Sequence, residues 1–431
     1  MLPVLRRGVR RAAPLVARRR VQPQRTSVQI TSARLDEFVH AELNVFARRA
    51  HGPPAPLGLL EALRSSDSVA MVARLLHDEL PVRFARRIKH IERLPGWEKI
   101  PELVSLRDMH ITSFRELRIA DPQLVNYLEV IYVIQERHKQ IPALFASAME
   151  HIQEELFDSS SEESLDRATV EQWAEKFLRS RVSTEILMSH YRACKEASVS
   201  SSPSGEATQK FGIIDTKCDP WAMCRRAIKK IDRDPNLVVI EMENPSDDIR
   251  FCHVPRYLFF IMSELLQNSA NATAASVRGV EEAKQRPIKV AICEDHRQVV
   301  VRISDKGGGM PVDDLDEAAM EKAFSCTYTT SLSTPDDLTG DTHLKQLPVV
   351  EAVLASTSDP SLPDHSLPWG VFSGESPLSG RGIGLPLSRL YATYLGGSLQ
   401  MINMPGLGMD AYLHLNRIDP FAHHSLGDDI F

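Results

Sequence analysis

The 431-residue chain has no apolar stretch approaching the length of a membrane span, and it is expected to be soluble. None of its six cysteines (Cys194, Cys218, Cys224, Cys252, Cys293 and Cys326) forms a CxxC pair or stands at a Cys/His ligand spacing. They read as reduced packing residues, not as disulfides or metal ligands. Acid is missing from the start: residues 1–35 carry nine Arg, and the first Asp or Glu is Asp36. Leu2, Val4, Leu5, Leu15 and Val16 interleave those arginines, a mitochondrial presequence pattern. A basic arm for nucleic acid is the other reading of that segment. Losing residues 1–28 removes eight Arg and takes the formal charge from -6 to -14, which argues against nucleic acid as partner of the mature chain.

What is present suffices for two cores, at 43% hydrophobic residues. From about residue 30 to 197 the apolar residues step mostly by three and four. One run is Leu124, Leu128, Ile131, Ile134, Leu144, Ala148, Ile152 and Leu156; another is Val170, Trp173, Phe177, Val182, Ile186 and Cys194. These predict long antiparallel helices of a bundle, interrupted by the polar stretch Ser159–Ser164. Ser198–Gln209 is Ser-rich with Pro203 and Gly205, and the periodicity changes beyond it. Strand-like runs (237–242, 288–293, 299–304, 399–402 and 411–415) then alternate with helical ones (221–232, 256–272 and 382–395). The expected organisation is a leader over 1–28, a helical bundle over 29–200, an α/β sandwich with one mixed sheet over 210–418, and a tail over 419–431. Residues 325–379, rich in Pro, Ser, Thr and Asp, read as a mobile lid.

Three segments carry the chemistry. In the first, Glu264, Asn268 and Asn271 fall on one helix face, where a carboxylate and two amides converge; an amide oxygen can ligate Mg2+. Ordinary solvated helix polars would look the same. In the second, Asp305 ends a β-branched run and opens Gly307-Gly308-Gly309, a carboxylate able to accept from an exocyclic amine beside backbone that a flat ring can approach; a hairpin turn has this pattern too. In the third, Gly380, Arg381, Gly382, Ile383, Gly384 and Leu385 lead into an apolar helical run, presenting N–H groups to phosphate. A dinucleotide fold fails on context, because no βαβ unit follows these late glycines.

In this order the segments resemble the N, G1 and G2 boxes of the GHKL ATPases. Glu79-Leu-Pro-Val-Arg83, Phe177-Leu-Arg-Ser-Arg181-Val-Ser183, Leu385-Pro386-Leu-Ser388-Arg389-Leu-Tyr391 and Gly406-Leu-Gly408-Met-Asp410 narrow the resemblance to the mitochondrial pyruvate dehydrogenase and branched-chain 2-oxo acid dehydrogenase kinases over roughly residues 69–418. The resemblance implies Glu264 as general base, Asn268 as Mg2+ ligand, Asp305 as reader of adenine with Gly307 and Gly309 bordering the base, and Thr329, Thr330 and the Gly380–Leu385 turn on the phosphates of ATP. It further implies serine phosphorylation of the decarboxylase subunit of a 2-oxo acid dehydrogenase complex in the mitochondrial matrix, docking on a lipoyl domain of the acyltransferase core, and a homodimer.

Departures from the family pattern are Gln267 and Asn271 where Lys and Arg are common, Phe260 where a His often precedes the base, and Met409 where Thr usually precedes Asp410. They motivate a second reading, an ATP-binding regulator without transfer. A histidine kinase would need a phosphoaccepting His beside an acid, and His190 in Met188-Ser-His190-Tyr lacks that acid.

Overall fold

The computed structural model describes residues 32–49, 68–122, 126–157, 166–200, 210–231, 234, 236–245, 248–310, 320–321, 323–326 and 383–417. Two units partition the chain, Met1–Glu42 and Leu43–Phe431. Of the first, only the opening turns of α1 (Ser32–Ala47) fall among the described residues. The leader, Ser159–Ser164 and the tail lie outside them, as does nearly all of the 325–379 stretch.

Helices dominate as far as Ser200: α2 (Ser68–Ile91), α3 (Pro101–Ile119), α4 (Tyr127–His138), α5 (Ile141–Phe157) and α6 (Arg167–Ser200). Pro at the first position of α3 suits a place where no N–H is needed. The first apolar run spans two helices, with Ile131 and Ile134 buried on α4 and Ala148 and Ile152 on α5; Leu124 lies outside the described residues. The second lies wholly on α6, with Val170, Trp173, Phe177, Val182 and Ile186 all buried. Its rings build the core: Phe145 and Phe177 stack at 5.0 Å, and Trp173 and Phe177 at 5.7 Å.

From Lys210 the elements alternate: β1 (Lys210–Phe211), β2 (Ile214–Cys218), α7 (Pro220–Lys230), β3 (Ile240–Glu243), β4 (Phe251–His253), α8 (Pro255–Ser276), α9 (Val280–Gln285), β5 (Ile288–Glu294), β6 (Gln298–Ser304), α10 (Gly384–Tyr394), β7 (Ser398–Met404) and β8 (Gly408–Asn416). The expected mixed sheet runs β3-β5-β6-β8-β7, with β3 and β5 parallel and the other pairs antiparallel. A small antiparallel sheet, β1-β2-β4, was not anticipated, its strands being too short for a period to show. β3 begins at Ile240, later than the expected 237, because the Leu237 and Val238 N–H groups both donate to the Asp234 carbonyl and close a turn. Ile288, Val290, Val299, Val301, Ile303, Leu413 and Leu415 alternate with less buried residues along the sheet, and α8 and α10 pack against it.

All six cysteines are free thiols, and no three metal-ligating side chains come together among the described residues. No described helix is long and apolar enough to cross a membrane. His190 is buried on α6, with Nε2 3.0 Å from Cys194 Sγ and Nδ1 accepting from the Ile213 N–H. Its ring fills the space a side chain at Gly212 would need, and burial lowers its pKa to about 3. It has the environment of a core histidine.

Candidate active site

α8 starts at Pro255, one residue after β4, and its first half is largely apolar: Tyr257, Leu258, Phe259, Phe260, Ile261 and Met262 are all buried. Apart from Arg256 in the first turn, polar residues enter from Ser263 onward. Glu264 is 8% exposed, while Asn268 and Asn271, one and two turns on, are exposed. The face predicted from spacing thus exists, with a sheltered carboxylate at one end and open amides at the other. The Asn271 amide oxygen accepts from Gln267 Nε2 at 3.0 Å. The two residues that replace the family's usual cations are therefore bonded to each other.

Asp305 follows the last residue of β6 and is 5% exposed. Its Oδ2 accepts from Ser269 Oγ of α8 (3.0 Å), and its Oδ1 from the N–H groups of Gly307 (2.9 Å) and Met409 (3.3 Å). Burial raises its pKa, and those donors oppose the rise. A carboxylate has about four acceptor positions, so three protein donors leave capacity for one more. Met409 meets Asp305 through its backbone in both directions, since the Asp305 N–H also donates to the Met409 carbonyl at 2.9 Å. Whatever side chain stands at 409, this contact is kept.

The glycines after Asp305 permit close approach. A Cβ on Gly307 would lie 2.6 Å from the Ala272 Cβ of α8, and Gly309, at φ 68°, has Asn403 Oδ1 and the Met404 carbonyl within 2.7 Å of where its Cβ would be. The Met310 N–H donates to Asn403 Oδ1 at 2.8 Å, which ties the turn to the β7–β8 hairpin. Gly408 is a contributor that the sequence reading quoted without assigning a role: its Cβ would lie 1.9 Å from the Asp305 carbonyl. Its signal was available in the Gly-rich hairpin itself.

α10 begins at Gly384, with Ile383 as N-cap and no side-chain cap. A Cβ on Gly384 would fall 2.1 Å from Glu264 Oε2, so the third segment is brought onto the carboxylate of the first. Ile383 is buried and Leu385 half-buried. Thr329, Thr330, Gly380, Arg381 and Gly382 lie outside the described residues. A cavity of about 630 Å³, lined by Glu171, Arg179, Phe324, Cys326, Arg389 and Tyr394 among others, sits on another face of α10 and contains none of these site residues.

An amide-bearing helix, a strand-end aspartate with glycines and a glycine-started helix, gathered on a mixed sheet, make up a domain of the GHKL ATPase class. The family described as histidine kinase-, DNA gyrase B- and HSP90-like ATPase matches residues 253–418. Residues 59–215 match the family described as mitochondrial branched-chain alpha-ketoacid dehydrogenase kinase. The mitochondrial pyruvate dehydrogenase (acetyl-transferring) kinase of Arabidopsis thaliana is 26% identical over 362 residues, 80% of this chain and 84% of that protein. Isozyme 4 of the same kinase is 25% identical in Mus musculus (91% of this chain, 87% of that protein) and in Rattus norvegicus (88% and 85%). Over both of its parts, therefore, the chain is similar to the mitochondrial pyruvate and branched-chain 2-oxo acid dehydrogenase kinases.

Proposed function

We propose that the protein transfers the γ-phosphate of ATP to a serine on the decarboxylase subunit of a 2-oxo acid dehydrogenase complex in the mitochondrial matrix, which inactivates that complex. The observation that carries this reading is the meeting of Glu264 with the start of α10, beside the exposed Asn268. A carboxylate there can take the serine proton while helix N–H groups face the phosphates. Asp305, with acceptor capacity left over, would hold the adenine amine between Gly307 and Gly309. The Asn268 carboxamide, exposed on the same face, suits Mg2+, which would neutralise phosphate charge when bound. Thr329, Thr330 and Gly380 through Leu385 complete the phosphate contacts, and Asn271 acts from the rim through its bond to Gln267.

Docking on a lipoyl domain of the acyltransferase core and a homodimer belong to the same proposal, from the resemblance to these kinases. Which complex is the substrate is left to experiment, because the helical match carries the branched-chain name and the relatives the pyruvate name. The neutral Gln267–Asn271 pair favours a second reading, an ATP-binding regulator without transfer on the same complex. Radiolabelled ATP offered with each purified complex decides between them. Acid-stable label on one decarboxylase subunit, absent with Glu264→Gln, is expected. ATP binding with no label on either complex would leave only the regulator.

A further inference from the structure

α8 and α10 pack antiparallel along one seam. Tyr257 stacks on Tyr391 with centroids 4.4 Å apart and planes 17° apart, and Phe260 meets the same Tyr391 edge-on at 5.4 Å. Two turns further along α8, Glu264 touches Gly384, two turns back along α10. The ridge is thus Tyr257, Phe260 and Glu264 on one helix against Tyr391 and Gly384 on the other. Because α10 is rigid over this length, where Tyr391 sits decides how closely Gly384 confines the Glu264 carboxylate.

Tyr391 is itself held from outside the nucleotide region. Its hydroxyl donates to Oε2 of Glu185 at 3.3 Å, and Glu185 belongs to α6, more than 200 positions earlier in the chain. Glu185 is 4% exposed and lies 3.6 Å from the Arg181 guanidinium. Arg256, at the start of α8, lies within its electrostatic reach. A carboxylate so deeply placed needs such partners to stay there. The three helices α6, α8 and α10 therefore converge on one buried acidic group.

We propose that Glu185 and Tyr391 are positioning residues for phosphate transfer: the helical region fixes α10 through their hydrogen bond, and the α8–α10 seam passes that position to Glu264. This rests on the reading of Glu264 as the base. The geometry gives the effect a specific form. Loosening the seam shifts the carboxylate relative to the serine while Asp305 stays held by three donors outside the seam, the Ser269 hydroxyl further along α8 and the N–H groups of Gly307 and Met409. Transfer then slows while nucleotide affinity holds.

The test uses the full-length protein with ATP and whichever complex it labels. Tyr391→Phe keeps the stack and deletes the hydroxyl; Glu185→Gln keeps the shape and deletes the charge. Each is expected to lower kcat about fivefold to tenfold, the kinetic equivalent of one buried hydrogen bond, with the Kd for ATP and the KM for the protein substrate within about twofold of the parent. Glu264→Asp, which keeps a carboxylate and with it residual transfer, supplies the background: single-turnover transfer by this variant should lose less from Tyr391→Phe than the parent loses, because both changes act through the placement of one carboxylate. A general weakening of the fold would instead multiply in that background and reduce the fraction of chains that bind ATP, and either result overturns the proposal. So does an unchanged kcat in Tyr391→Phe while Glu264→Gln is inactive. Full transfer by Glu264→Gln alone removes the base reading, and the positioning role falls with it.

Discussion

In the helical region Arg87, His110 and His138 are buried: Arg87 donates to Thr184 Oγ1 and Ser180 Oγ and shares a hydrogen bond with His110 Nε2, and His138 Nε2 shares one with Ser113 Oγ while its Nδ1 is buried without a hydrogen-bond partner. In the nucleotide region Asp305 is equally sheltered but keeps acceptor capacity, and Asn268 stands open on the same helix that supplies Ser269. The first region's buried polar groups face one another inside a helical core, whereas Asp305 stands beside an exposed face of α8. The titrating groups differ in sign as well, since burial lowers the histidines and raises Asp305. A side chain's burial alone therefore says little about its purpose; how its hydrogen-bonding capacity is spent says more.

The sharpest way to separate the two regions is to damage one core and read the other. Phe177 is fully buried between Phe145 and Trp173, and Phe177→Ala leaves a cavity in the helical region. The expected cost is about 3–5 kcal/mol in denaturant unfolding. ATP affinity of the folded fraction, measured calorimetrically, should stay within about twofold of the parent. A parallel collapse of ATP affinity would show that nucleotide binding depends on that aromatic stack.

Next in size is the converse experiment. Asp305→Asn keeps the volume and one carbonyl oxygen but places an amide donor against the N–H groups of Gly307 and Met409 or against Ser269. ATP affinity is expected to fall about 10- to 100-fold, or about 1.4–2.7 kcal/mol, with a smaller change in unfolding midpoint than Phe177→Ala produces. Unchanged ATP affinity would sink the assignment of Asp305 to adenine.

Legibility in the sequence follows the same division. The α6 run and the sheet strands were readable because each has one buried face and hence a period; β1, β2 and β4, of two, five and three residues, have too few positions to show one. Glu264 and Asp305 could be singled out because each closes an apolar run, and Asn268 because it lies one helical turn beyond Glu264. The Glu185–Tyr391 bond could not be, since α6 and α10 are far apart in the chain and a glutamate on a helix ordinarily reads as solvated. The exchange of hydrogen bonds between Asp305 and the Met409 backbone was hidden for a related reason, because backbone partners leave no residue type behind.

The smallest effect is the one set by protons. His138 is fully buried, and burial first, then the neighbouring His110 and the Arg181 and Arg87 guanidiniums, holds its pKa well below the ordinary value. An unfolded chain takes a proton on this histidine near pH 6.5 and the folded one does not, so below about pH 6.5 the unfolded state binds the extra proton. Stability is then lost as pH falls, by about 1.4 kcal/mol per pH unit for each such group, and is independent of that group above about pH 7. Asp305 acts the other way: with its folded pKa raised, it takes up a proton in the folded state before it would in the unfolded chain, and that uptake favours folding as pH drops. The helical histidines should therefore dominate acid sensitivity between about pH 5 and 6.5, where an ordinary aspartate is already ionised in the unfolded chain. His138→Phe, which keeps a ring beside Phe84, is expected to flatten the slope of unfolding free energy against pH by one proton in that window and leave it unchanged at pH 7.5. Denaturant titrations of parent and variant at several pH values measure this directly, and parallel curves would mean that His138 already carries its proton in the folded protein.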